Sequence, residues 1–254
     1  MTERAGTGQG QRDDPRSAEL AARLAAVRKR IAAAAGEAGR GGRLPVLIVV
    51  TKFHPAEDIR RLAALGITDV GENRDQEAAA KALELADLAL TWHFVGQLQT
   101  KKAKSVARYA SAVHSVDRPQ LVDALAKAVR HEMDGSGRAP LDCFIQVSLE
   151  EGNHNDGGTH RGGAVPGDVP LLAERIAGSE GLNLAGVMAV APLGAPPEPA
   201  FEKLAGISAR LVAAHPAATA ISAGMSQDLE AAIKFGATHL RIGSDVLGSR
   251  PAVG

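Results

Sequence analysis

Aromatic side chains make up only 3% of this 254-residue chain: five Phe, one Tyr and one Trp. That is too few rings to build stacking platforms for single-stranded nucleic acid. There is one cysteine, Cys143, which excludes an internal disulfide framework and a cysteine-based zinc cage. Neither sign of charge dominates, since 29 Lys and Arg balance 29 Asp and Glu. Nucleic acids and anionic membrane surfaces select chains with a basic excess, so neither is an expected partner. The aliphatic run Val46–Val50 is five residues long, far short of the roughly 20 that a spanning helix needs. The opening MTERAGTGQGQRDDP carries no apolar stretch, so no secretory signal is visible and a cytoplasmic location is expected.

What is present is the composition of an ordinary globular chain: 45% hydrophobic, 23% charged and rich in Ala and Gly. Residues 1–16 are polar and Gly-rich and are expected to form a disordered tail, leaving 17–250 as a single domain. Leu20, Leu24, Val27 and Ile31 repeat at helical spacing, which predicts an N-terminal helix stopped around Gly36–Gly42. Val46–Val50 is β-branched throughout apart from Leu47 and suits a strand buried on both faces. Further strands are expected at 68–70, 91–95, 112–116, 141–148, 183–189, 219–222 and 239–242, with helices in all seven links. An alternating series of eight strands predicts a (β/α)8 barrel with an extra N-terminal helix. A closed barrel leaves no sheet edge to cover, which fits a monomer. The segment 151–163 (EGNHNDGGTHRGG) reads as a mobile Gly-rich loop. Its His154, Asn155, Asp156 and His160 carry donor atoms, but such a loop holds ligands poorly and no metal is expected.

Three places carry chemistry. Lys52 ends the first buried strand just before His54-Pro55, which puts its amine at the C-terminal rim where barrel active sites lie. Ser222-Ala-Gly224-Met225-Ser226 follows the seventh strand, and Arg241-Ile-Gly243-Ser244 ends the eighth. Gly224 can take positive φ, and Ser226 can cap the next helix; together they make an anion cradle. Phosphate sites in barrels often use these two loops. A rim lysine facing a phosphate cradle fits a Schiff-base enzyme of sugar phosphates or a holder of pyridoxal 5′-phosphate (PLP). Lys101, Lys102 and Lys104 read as a solvated face, and Cys143 as an inert core residue. His93 and His114 fit either the core or a pocket wall.

The motifs together resemble the pyridoxal phosphate homeostasis protein family. They are Val50-Thr-Lys52, Gly71-Glu-Asn73 with Gln76-Glu77, Trp92-His-Phe-Val-Gly96 with Leu98-Gln99, His114-Ser-Val-Asp-Arg118, Gly186-Val-Met188 and the two Ser/Gly loops. The resemblance runs from about residue 17 to 250. It implies an alanine-racemase-like barrel (fold type III among PLP proteins) with PLP held as a Schiff base on Lys52. Ser222, Gly224, Met225, Ser226, Gly243 and Ser244 would surround the phosphate, with Arg241 near the pyridine nitrogen and Asn73 near the ring. A guanidinium there leaves that nitrogen unprotonated, a poor electron sink. The implied function is a non-catalytic carrier that delivers PLP to apo-enzymes. The alternative is a PLP-dependent amino-acid racemase, which needs a second base, often tyrosine. The one tyrosine, Tyr109, falls near a helix end away from the rim. The chain departs from the family pattern at Phe53, Arg74 and Lys101, at Ser244 where Thr is frequent, and in its long loop 151–163.

Overall fold

Helix α1 (Pro15–Glu37) starts two residues before the position its apolar spacing predicts. Asp14 is the reason. Its carboxylate accepts the Arg16 N–H at 3.1 Å, and Pro15 fills the first helical position, where no N–H is required. Residues 15 and 16, expected in the tail, therefore belong to the helix. The computed structural model describes residues 14–149, 162–192 and 194–249. Residues 1–13 of the expected tail lie outside the described residues. So do His154, Asn155, Asp156 and His160, with all of the expected loop except Gly162 and Gly163.

Eight parallel strands follow in chain order: β1 (Val46–Val50), β2 (Asp69–Glu72), β3 (Thr91–Phe94), β4 (Ala112–Val116), β5 (Leu141–Gln146), β6 (Leu182–Met188), β7 (Ala220–Ser222) and β8 (His239–Ile242). Each pairs with its neighbours, and β8 returns to β1 with Val46 beside His239 and Val49 beside Ile242, closing the barrel. The links carry α2 (Ala56–Ala64), α3 (Asp75–Glu84), α4 (Ala103–Val106), α5 (Pro119–Ser136), α6 (Val169–Ala177), α7 (Glu198–Ala214) and α8 (Leu229–Lys234). A short α9 (Ser244–Leu247) follows β8. The (β/α)8 count and the extra N-terminal helix are as the sequence predicts.

Strand alternation sorts the residues into two layers. Val49, Val70, Val113, Ile145, Val187 and Leu240 face outward and pack on the helices in one aliphatic core. The inward face is different. It carries Ile48, Gly71, Phe144 and Met188, but also His93, His114, Ser222, His239 and Arg241. Phe144 stacks on His114 with ring centroids 4.1 Å apart. β1 is buried on both faces only at Ile48 and Val49; Val46 is 37% exposed at the N-terminal mouth, so the expectation of burial along its whole length does not hold at its start. Helix α1 packs across α8, α9 and α2 through Leu20, Leu24, Val27 and Ile31. Among the described residues no helix is long and apolar enough to cross a membrane.

Candidate functional site

The C-terminal strand ends open into a cleft of about 690 Å³, within the usual size of small-molecule sites. Lys52, Asn73, Met225, Ser226, Arg241, Gly243 and Ser244 line it. Sequence reasoning had singled out all of these.

Lys52 lies just beyond β1, in a turn that the neighbouring unit holds from both sides. Before it, the Thr51 N–H donates to the Gly71 carbonyl at 2.9 Å and Thr51 Oγ1 donates to Glu72 Oε1 at 2.7 Å. After it, the Phe53 N–H donates to Glu77 Oε1 at 2.6 Å. Lys81 of α3 ties these together, donating to the Thr51 carbonyl at 2.9 Å, Glu72 Oε1 at 2.7 Å and Glu77 Oε1 at 2.6 Å. Burial pushes the Glu72 carboxyl up from its ordinary range, against the pull of Lys81. Phe53 sits at φ +67°, alone among the described non-glycine residues in having positive φ. Left-handed backbone costs a residue with a Cβ roughly 1–2 kcal/mol. The Arg74 guanidinium lies 4.6 Å from the Phe53 ring centroid, so two departures from the family pattern form one cation–π pair.

Asn73 follows β2 and turns into the cleft. Its Oδ1 is buried without a hydrogen-bond partner, a state that calls for a donor from a ligand or water. Gly96 allows this arrangement, because a Cβ there would meet the Asn73 backbone.

Arg241 enters from β8. Its NH1 donates to the Ser222 carbonyl at 2.7 Å and to Ser222 Oγ at 2.6 Å, and NH2 donates to the Ala189 carbonyl at 2.9 Å. Desolvation brings its guanidinium down to about 10, offset in part by the Asp228 charge, so it stays cationic at neutral pH. None of the ion pairs among the described residues includes it. Only the N–H groups of Arg241 outside these three bonds are left to serve the cleft.

Two expected phosphate residues lie elsewhere. Ser222 is fully buried beneath Arg241 and does not line the cleft. Gly224 does adopt φ +93°, but a Cβ there would lie 2.7 Å from Ala232 Cβ and 2.9 Å from Leu240 Cδ2. Packing of α8 on β8 by itself demands a glycine here. Ser226 does not cap α8 either. The Met225 N–H donates to Asp228 Oδ1 at 2.5 Å, the chain makes a turn, and the helix begins at Leu229. What Ser226 does is face Ser244, whose Oγ donates to its Oγ at 3.3 Å. Gly243 lets this loop close onto β1, since a Cβ would sit 3.3 Å from the Val50 carbonyl.

Two residues were missed by sequence reasoning. Arg30 of α1 donates to the Ser226 carbonyl at 2.9 Å, to Asp245 at 2.6 Å and to Glu230 at 2.8 Å, bracing both Ser loops from outside the barrel. No local signal marks it, because its partners lie about 200 residues away in sequence. His54 lines the cleft near Lys52. Burial holds its imidazole below the usual range, which favours the neutral ring. Its only signal was proximity to Lys52. The remaining candidates lie off the cleft. His93 and His114 fill the barrel interior. Lys102 pairs with Asp75 at 3.3 Å. Cys143 is wholly buried, and burial pushes its thiol up. Burial also pushes up the phenol of Tyr109, which does not line the cleft.

Residues 22–251 match the family described as alanine racemase, N-terminal domain. A pyridoxal phosphate homeostasis protein of Corynebacterium glutamicum is 47% identical over 207 residues, 81% of this chain and 90% of that one. Another of that name from Mycobacterium tuberculosis is 43% identical over 249 residues, 92% of this chain and 94% of that one. Among solved structures, PipY of Synechococcus elongatus with PLP bound superposes with a TM-score of 0.73 at 32% identity, covering 90% of this chain and all of PipY. Alanine racemase from Corynebacterium glutamicum shares the fold, with a TM-score of 0.62 at 14% identity, and this chain covers 62% of it. Barrel, cleft and relatives agree: this chain belongs to the pyridoxal phosphate homeostasis protein family.

Proposed function

We propose that the cleft binds PLP through Lys52, and that the protein holds and releases PLP in the cytoplasm for apo-enzymes rather than turning over amino acids. One observation carries the reading. A primary amine (Lys52), a buried guanidinium with no carboxylate in contact (Arg241) and a facing pair of hydroxyls (Ser226 and Ser244) converge on one cleft. The orphaned Asn73 Oδ1 fits the same ligand. The name shared by the relatives and the PLP in PipY support it.

When bound, PLP supplies an aldehyde open to attack by a primary amine and a pyridine ring that can delocalise charge. The chain's part is to bind and orient. Lys52 presents the amine from a turn fixed on both sides. Ser226 would donate to the phosphate, and Ser244 would do so on turning its hydroxyl from Ser226. Arg241 would donate to the ring nitrogen and, remaining charged, would keep its proton. That would leave the nitrogen unprotonated and damp carbanion chemistry. No tyrosine stands at the cleft as a second base, which disfavours the racemase alternative. A monomer is expected.

The test is a visible spectrum after PLP addition, with borohydride trapping and peptide mass mapping. A yellow band and a pyridoxyl mass on Lys52 are expected, with no racemase activity. Absence of both band and adduct would overturn the reading.

A further inference from the structure

The cleft compensates Arg241 only in part. A buried cation requires a compensating charge. Among the described residues no carboxylate touches it. Asp228 lines the cleft and its charge favours the cationic form, but among the described residues the two form no ion pair. The inward face of the barrel offers an answer.

Below Arg241, Ser222 Oγ lies 2.8 Å from His114 Nδ1. His114 Nε2 lies 3.0 Å from His93 Nδ1, and His93 Nε2 lies 3.0 Å from Asp69 Oδ1. The two ends of this series fix every hydrogen between them. A guanidinium only donates and a carboxylate only accepts. Ser222 Oγ accepts from Arg241 NH1, so its hydrogen is available to His114 Nδ1. His114 then carries its hydrogen on Nε2 and donates to His93 Nδ1. His93 likewise carries its hydrogen on Nε2 and donates to Asp69. With neutral rings, the opposite arrangement would set a bare His93 Nε2 against the Asp69 carboxylate. Full reversal therefore needs a second proton on His93, and turning the Ser222 link alone needs one on His114, behind Arg241.

The surroundings resist that proton. His114 is stacked on the uncharged Phe144 of β5, and His239 of β8 lies 6.4 Å away by ring centroid. His239 also lies 6.5 Å from His93. Burial, together with His93 and Arg241, drives the His114 imidazole far below its usual range. Burial likewise lowers His239 to about 4. The acceptor end is well made: Thr68 Oγ1 donates to Asp69 Oδ2 at 2.7 Å, and Asp69 is held below the usual carboxylate range by its bonds to His93 and Thr68, against the opposing effect of burial.

We propose that Asp69, at the N-terminal mouth of the barrel, is the remote counter-ion of Arg241, joined to it by a one-way hydrogen-bond chain through His93, His114 and Ser222. The chain positions the guanidinium that faces the ring nitrogen. In this it rests on the PLP reading above. Asp69, His93, His114 and Ser222 are positioning residues; none of them lines the cleft.

The test combines nitrogen NMR of histidine-labelled protein without PLP and spectra of the PLP-loaded protein. In the wild type both His93 and His114 should carry hydrogen on Nε2 at neutral pH. Asp69→Asn should shift the ring signals of His114 as well as His93, move the visible band of the loaded protein and speed PLP release by about two- to tenfold. Thr68→Val removes a hydrogen bond to Asp69 while leaving its charge, and should change neither the His114 signals nor the band. If Asp69→Asn does not fold, Ser222→Ala breaks the chain at its other end and should shift His114 Nδ1 and the band. Hydrogen on His114 Nδ1 in the wild type would overturn the proposal. So would a shift confined to His93, an equal effect of Thr68→Val, or an unchanged band and release rate. A wild type that takes up no PLP would overturn the cofactor reading instead, while the ring signals still decide the chain.

Discussion

The two walls of the cleft are held by opposite means. Under Lys52, between β2 and α3, the support is ionic: Lys81 bridges Glu72 and Glu77, and all three are tied to the backbone or hydroxyl of residues flanking Lys52. Under Arg241 the contacts are neutral: two carbonyls, a hydroxyl and, behind it, imidazoles. Charge on that second wall is supplied from outside, by Arg30 of α1. The contrast follows from position. The ionic group sits on the outward face of β2 against a helix, where long side chains meet. The neutral group sits inside the barrel, where a second cation would go uncompensated.

The largest break in this contrast should come from Lys81→Met. It strands the fully buried Glu72 beside Glu77, and removing one partner of a buried pair costs about 3–5 kcal/mol. The urea midpoint should fall accordingly, and trapping on Lys52 should weaken. Adding Glu72→Gln should restore much of the loss. A change below about 1 kcal/mol would mean that the ionic wall is not what holds the turn.

Acid should then single out the neutral wall. Folded His239 stays neutral down to about 4, whereas in the unfolded chain it takes a proton near 6.5. Stability should therefore fall as pH drops from about 6.5 to about 4, by about 3 kcal/mol from this residue. His114 acts in the same direction. Glu72 acts in the other: its raised carboxyl favours the folded state at low pH, a contribution lost as pH rises through the folded value. Denaturant titrations across this range should show the fall, and His239→Phe should flatten it.

Arg30→Ala should have a smaller effect on folding, less than about 1 kcal/mol for a partly exposed network. Its effect should appear instead as faster PLP release, because both Ser loops lose their brace. Equal loss of stability and binding would show that α1 supports the fold rather than the cradle. The smallest change is expected for Phe53→Gly. Relief of left-handed strain, about 1–2 kcal/mol, is offset by glycine's entropy of about 0.5–1 kcal/mol. The lost contact with Arg74 removes about 0.5–1 kcal/mol more. Thermal unfolding should move little, and a clear stabilisation would mean that Arg74 contributes nothing.

Much of this was legible in the chain itself. The strand runs, the Pro and Gly stops and the helical spacing of α1 are local properties, and they fix the order and number of elements. With eight strands in a closed ring, Lys52 and the two Ser/Gly loops must share one rim. Some local signals misled. Ser226 reads as a cap because hydroxyls commonly cap helices, yet Asp228 takes the Met225 N–H and delays the helix. Gly224 reads as a place for ligand approach, but the fold requires it on other grounds, since Ala232 and Leu240 leave no room for a Cβ. In both, a neighbour in the fold adds a constraint that the local signal does not show.

The sequence by itself determined the barrel, the rim lysine and the paired hydroxyl loops, because periodicity and turn chemistry act over a few residues. The tertiary structure alone decided which polar groups support them. Ser222 meets His114 across 108 residues of chain, and Arg30 meets Asp245 across 215. Such pairs exist only when strand register and helix packing bring them within hydrogen-bonding distance. No spacing rule along the chain encodes that distance, since it is set by closure of the barrel as a whole.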